Sequence, residues 1–313
     1  MADLMEITIL GAGAMGSLFG GLLAEAGHDV TLVDVDDAHL EKIRHDGLRL
    51  RTDAGERVVQ ELRVSRPEHA THAPDLVIVF TKTMHTSAAL ASARALLGPH
   101  TVVLSLQNGL GNVERLAQFV ARDRIMVGVT TWPADKAGAA QVSSHGAGVV
   151  RMMNADGAET LGLKRTVDAL NSAGLHSTAD PDVWAAIWEK VAFNAALNSL
   201  CAVTRCTVGE LANVPDGEAL ALNIVAEVAA VAHANDVAVN DSRIVANVRH
   251  ALAHHREHRP SMLQDVLGGR KTEIEAINGA VVAAAHAAGV AVPCTETLLH
   301  LVRLGDARVA RPA

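Results

Sequence analysis

The chain has 313 residues, 49% hydrophobic and 20% charged, enough for two domains with a sizeable core. Its net charge of −8, with no Tyr and only 2% aromatic residues, argues against a phosphate-backbone partner and against stacking platforms, so no nucleic acid is expected. The N-terminus carries Asp3 and Glu6 instead of a basic signal segment, no uninterrupted apolar run is long enough to span a membrane, and Cys201, Cys206 and Cys294 lack C-x-x-C spacing, which reads as a cytoplasmic protein with reduced thiols.

Residues 5–10 (MEITIL) predict a short strand that runs into Gly11-Ala12-Gly13-Ala14-Met15-Gly16, a complete G-x-G-x-x-G. A helix follows to Gly27, then a strand over 29–33 that ends on Asp34. Strand, tight turn, helix, strand and acid in that order form the dinucleotide fingerprint. Gly11 allows the turn, Gly13 lets a pyrophosphate reach the backbone amides of the helix N-terminus, and Gly16 lets the helix lie close on the strand. The Asp34 carboxylate suits the ribose hydroxyls of NAD and repels the 2′-phosphate of NADP, and Asp36 and Asp37 add acid beside it, so NAD(H) is favoured. Lys42 and Arg44 fall on a solvated helix.

Residues 48–51 and 58–64 predict a hairpin about Asp53-Ala54-Gly55. Strands at 75–82, 101–106, 124–131 and 149–153 alternate with helices at 88–97 and 113–121, and 138–148 reads as a loop-rich connection. That alternation predicts an α/β Rossmann-type, doubly wound parallel sheet over residues 1–180. After Pro181 the strand signals stop. Ala-rich helices at 182–205, 217–235, 241–256, 271–288 and 294–308 predict an all-α C-terminal domain over 181–313. Its helix faces could support self-association into a homodimer.

Within the first of these helices, Lys190, Asn194 and Asn198 stand four residues apart among Trp184, Ile187, Trp188, Val191, Phe193, Leu197 and Leu200. Three side chains at that spacing drift only about 80° around a helix and so share one face. A polar stripe in so apolar a helix needs partners, since an unpaired amide or ammonium in an apolar interior is costly. A bound polar ligand, a neighbouring helix or water would each satisfy it. Asn108 follows the strand at 101–106, where a parallel sheet opens its ligand crevice, although Asn108-Gly109 is also a turn signal. Ser261 fits a helix cap and Glu273 a surface acid by spacing alone. His250, His254 and His258 share a helical face, but with no carboxylate or thiol at ligand spacing no metal is expected.

The ordered motifs GAGAMG (11–16), TK (81–82), QNGLGN (107–112), WEKVAFNAALNSL (188–200), GEL (209–211), SMLQD (261–265) and KTEIEAINGAV (271–281) resemble the ketopantoate reductase (2-dehydropantoate 2-reductase) family along nearly the whole chain. The resemblance implies a Rossmann domain followed by a helical domain, with a small-molecule 2-oxo acid reduced between them. In the pathway the family serves, 2-dehydropantoate becomes (R)-pantoate for pantothenate biosynthesis. It implies Lys190 as catalytic lysine and Glu273 as essential carboxylate. Asn108, Asn194, Asn198 and Ser261 then match residues that bind substrate, and Lys82 matches one that contacts the cofactor. The family's usual cofactor is NADP(H), often with a basic residue where this chain has Asp34. His85 replaces a more usual neutral polar residue, and Asn198-Ser199-Leu200 replaces the more usual N-P-L. These departures leave open an NAD-dependent D-2-hydroxyacid dehydrogenase of the D-mandelate type. A non-catalytic dinucleotide-binding regulator has no use for the Lys190 and Glu273 pair.

Overall fold

The computed structural model describes residues 3–309. The chain forms two compact units, Met1–Gln107 with Asn112–Val183, and Asn108–Gly111 with Trp184–Ala313.

The first unit is built on an eight-stranded sheet. Along the sheet the strands run Arg63–Ser65, Asp29–Val33, Glu6–Leu10, Leu76–Val79, Val102–Ser105, Ile125–Thr130, Val150–Asn154 and Ser177–Ala179. Leu76–Val79 and Ile125–Thr130 are buried at every position, as strands covered on both faces must be. Chain order reverses between Glu6–Leu10 and Leu76–Val79, which pair in parallel with Ile7 opposite Leu76. This is the switch point of a Rossmann sheet, where ligands bind at the carboxyl ends of the strands.

The sheet is mixed, not wholly parallel. Val150–Asn154 pairs antiparallel to Ile125–Thr130. A parallel neighbour needs a long crossover, and the intervening chain is instead spent on a second, four-stranded sheet. There Gly55–Val59, Leu48–Thr52, Gln141–Ser143 and Asp135–Gly138 lie side by side. The hairpin expected near Asp53 is present, with Leu48 opposite Val59. The stretch expected as loop at 138–148 contains the strand Gln141–Ser143 and the end of another. Strands of three or four residues flanked by Gly138, Ala139 and Ala140 show too little alternation to be read locally.

The second unit is helical, with no strand among its described residues. Its helices are Val183–Thr204, Val208–Ala212, Pro215–Ala234, Asp241–His254, Ser261–Leu267, Ala280–Ala288 and Pro293–Val309. A π-helical turn, Glu275–Gly279, precedes Ala280. Buried Glu189 accepts from Arg243 Nε (2.7 Å) and from the Asn240 amide (3.0 Å), fixing the long first helix to Asp241–His254. Pro215–Ala234 is long and apolar enough to cross a membrane by length and composition alone. Its Ile224, Val225, Val228, Val231 and Ala232 are buried within the unit, and Asp216 and Glu218 occupy its first turn, the profile of a core helix.

Candidate active site

The glycine-rich turn has the geometry its residue types require. Gly11 adopts φ +102°, and a Cβ there would lie 2.5 Å from the Thr81 backbone nitrogen, so both conformation and space demand glycine. Its amide donates to Val33 O at 2.8 Å. A Cβ on Gly16 would collide with Gly11 O, which shows how closely the helix Ala14–Glu25 lies on its strand. Gly13 caps that helix, and a Cβ there would meet nothing within 4 Å. The helix N-terminus therefore offers open space beside its first backbone amides, Ala14 and Met15, a setting that fits a dinucleotide pyrophosphate.

Asp34 closes this turn. Its Oδ2 accepts from the Ala12 amide at 2.6 Å, and its Oδ1 accepts from the amides of Val35 (2.7 Å) and Asp36 (3.0 Å). Three donors fix the carboxylate in direction. Two cations stand close by, each tied to an acid. Lys136 Nζ lies 2.8 Å from Asp36, and Arg66 Nη1 lies 2.6 Å from Asp37 and 3.3 Å from Val35 O. The Lys136 contact pulls the Asp36 carboxyl below its ordinary value. Lys82 sits just beyond the carboxyl end of Leu76–Val79, next to Thr81. Gln107 Nε2 ties this edge together by donating to Thr81 O (2.6 Å) and Thr86 Oγ1 (2.7 Å).

The helical unit gathers the other residues. Asn194 and Asn198 are buried on Val183–Thr204, and Asn198 Nδ2 lies 3.5 Å from Ser261 Oγ, at the outer limit of a hydrogen bond. Burial lowers the Lys190 amine and the negative charge of Glu273 raises it in part, which leaves it at about 8. Glu273 lies in the turn before the π-helix, not on the helix expected from residue 271. The helix Pro293–Val309 clamps that turn on both sides. Asp306 Oδ2 accepts from Thr272 Oγ1 at 2.9 Å, and Arg303 forms a two-pronged pair with Glu275 at 2.7 and 2.6 Å.

Asn108 belongs to this unit as well. The π turn redirects the carbonyl of Ala276, which accepts from the Leu110 amide at 2.8 Å. Gly109, at φ +83°, lies against the same carbonyl, and a Cβ there would come within 2.2 Å of it. The loop carrying Asn108 is thus latched to the segment that follows Glu273. Sequence reading singled out Asn108, but not Gly109 or Ala276. A glycine after Asn is equally a plain turn signal, and a π turn has no local signature.

The histidine face packs differently from its sequence spacing. His250 contacts His254 and His255, with ring centroids 4.6 and 5.4 Å apart, and all three are exposed. No group of three metal-ligating side chains forms among the described residues.

The sequence model described as "Ketopantoate reductase PanE/ApbA" matches residues 7–157, and its C-terminal counterpart matches 182–306. A 2-dehydropantoate 2-reductase of Halobacterium salinarum is 37% identical over 308 residues, covering 96% of this chain and 99% of that protein. The chain belongs to the ketopantoate reductase family. This is an oxidoreductase family. A second relative, the 2-dehydropantoate 2-reductase of Streptococcus pyogenes serotype M1, is 34% identical over 97% of this chain and 98% of its own. Among solved structures, D-mandelate dehydrogenase with NADH and anilino(oxo)acetate superposes with a TM-score of 0.93 at 30% identity, covering 98% of this chain and 100% of that one. The NADH of that dehydrogenase, together with the reductase relatives, supports a nicotinamide dinucleotide cofactor.

Proposed function

We propose that this ketopantoate reductase family member reduces the ketone of a 2-oxo acid, with 2-dehydropantoate to (R)-pantoate as its reaction. One observation carries the reading. On one helix face, an amine lowered to about 8 by burial, against the raising pull of Glu273, stands one turn from buried Asn194 and two turns from buried Asn198. A bound reduced nicotinamide would supply hydride to the ketone carbon. Negative charge then develops on the ketone oxygen, and the Lys190 ammonium stabilises it and donates the proton. Glu273 offsets part of the burial cost, so Lys190 is still about nine-tenths protonated at pH 7. Asn108, Asn194, Asn198 and Ser261 bind the substrate's carboxylate and hydroxyl without adding charge.

In this reading Gly11 to Gly16 hold the pyrophosphate, with Ala12, Ala14 and Met15 presenting backbone to it, and Lys82 and Asn108 are assigned cofactor contacts. Asp34 takes the ribose hydroxyls and favours NAD(H). The D-mandelate type is the second reading, favoured by Asp34 and by the likeness to an NADH-bound D-mandelate dehydrogenase. Initial rates with ketopantoate, benzoylformate and 2-oxoisovalerate, each with NADH and NADPH, test both. A kcat/KM highest for ketopantoate supports the proposal, and a preference for an acid lacking the terminal hydroxyl replaces it with the second reading.

A further inference from the structure

Beside the glycine-rich turn lies a buried hydrogen-bonded chain that none of the proposed chemistry uses. His39, on the helix Asp37–Asp46, and Ser17, on Ala14–Glu25, are both fully buried. The Ala140 amide donates to His39 Nδ1 at 3.0 Å, so Nδ1 carries a lone pair and Nε2 the proton. Nε2–H then donates to Ser17 Oγ at 3.0 Å, and the Ser17 hydroxyl donates to Ala12 O at 2.9 Å. This tautomer alone satisfies all three contacts. Ala12 is thereby held from both sides, its carbonyl by Ser17 and its amide by Asp34. At its far end the chain reaches the small sheet, where Ala140 takes a left-handed φ of 57° between Asp135–Gly138 and Gln141–Ser143. Lys136, one residue into that hairpin, makes a second tie through Asp36.

We propose that His39 is a positioning residue of the nucleotide site: through Ser17 it fixes the Ala12 carbonyl, and through Ala140 it ties the glycine-rich turn to the small sheet. The inference rests on the reading that Gly11–Gly16 holds the cofactor pyrophosphate. It makes cofactor affinity depend on a neutral imidazole. A proton on Nδ1 would face the Ala140 amide, donor against donor, and would place a cation in a buried site.

The groups facing the ring are Asp36 on its own helix, Asp34 at the strand end and Lys136 from the hairpin. Burial, reinforced by Lys136, pulls the imidazole below its ordinary 6.5, against the opposing pull of Asp36 and Asp34. The neutral chain is therefore complete above the usual histidine range, and its contribution is lost as pH falls below it.

Calorimetric titration of the full-length protein with NAD+ tests this between about pH 5.5 and 8, a range that brackets ordinary histidine titration. Wild-type affinity weakens toward the acid end. S17A weakens binding at the alkaline end about five- to tenfold, the worth of one buried hydrogen bond, and H39A at least as much. H39Q carries an amide that can accept from Ala140 and donate to Ser17. It recovers most of that loss and, lacking a titrating ring, has a flatter pH profile. S17A binding as tightly as wild type, or H39Q keeping the full acid weakening, would overturn the inference, and neither result depends on H39A folding. Wild type that binds neither NAD+ nor NADP+ at any pH would overturn the pyrophosphate reading itself, and the inference with it.

Discussion

Replacing Glu273 with Gln removes the charge that pulls the Lys190 amine back up while keeping the side chain's size. The fall of Lys190 from 10.5 to about 8 amounts to about 3 kcal/mol against the charged amine, already net of the help from Glu273. An opposite charge at close range is worth about one pH unit or more. Ketone reduction needs the protonated amine, so kcat/KM for reduction is flat below the Lys190 value and falls above it. In wild type that alkaline limb lies near pH 8. In E273Q it moves down by about one pH unit, toward neutrality. The reverse reaction needs the neutral amine, so its ascending limb moves the same way. The assay is the pH dependence of kcat/KM in both directions, with the stability of the variant checked across the same range. A limb that stays near pH 8 in E273Q, or one that moves upward, would refute the electrostatic role of Glu273.

Three further outcomes are expected. Asp34→Ser removes the carboxylate that opposes a 2′-phosphate and leaves Arg66 and Lys136 nearby to meet one, so the NADPH over NADH preference in kcat/KM rises by about tenfold or more. Gly109→Ala drives a Cβ into the Ala276 carbonyl and displaces Asn108, so kcat/KM for the oxo acid falls about a hundredfold while NADH affinity, measured by fluorescence, falls far less because the glycine-rich turn is untouched. Glu189→Ala removes the carboxylate that accepts from Arg243 and from the Asn240 amide, and urea unfolding shows a loss of about 2 kcal/mol.

The parts of the fold readable from sequence are those where one residue type has a single mechanical use. Gly11, with its positive φ, and Gly16, with no room for a Cβ, could be read because the fingerprint places them between a strand and a helix. The helix Val183–Thr204 was legible for its length and its polar stripe. Strand direction was not. The antiparallel step at Val150–Asn154 depends on what the chain does between residues 131 and 149, and the pattern of 149–153 does not record it. The helix Leu161–Ser172 went unassigned although Thr160 caps it by accepting from the Leu163 amide. Glu273 and Ser261 were noticed through family resemblance, since an acid in a turn and a serine at a helix start look ordinary. Ser17 and His39 escaped altogether, because their importance lies in a contact across 22 residues with the hairpin beyond.

The central claim is that the Lys190 ammonium completes ketone reduction. A single-turnover experiment with Lys190→Ala, preloaded with NADH and mixed with ketopantoate, tests it most directly. The account predicts that nicotinamide fluorescence reports normal cofactor binding while the absorbance of the reduced ring does not decay on the wild-type timescale. Decay at the wild-type rate would contradict it.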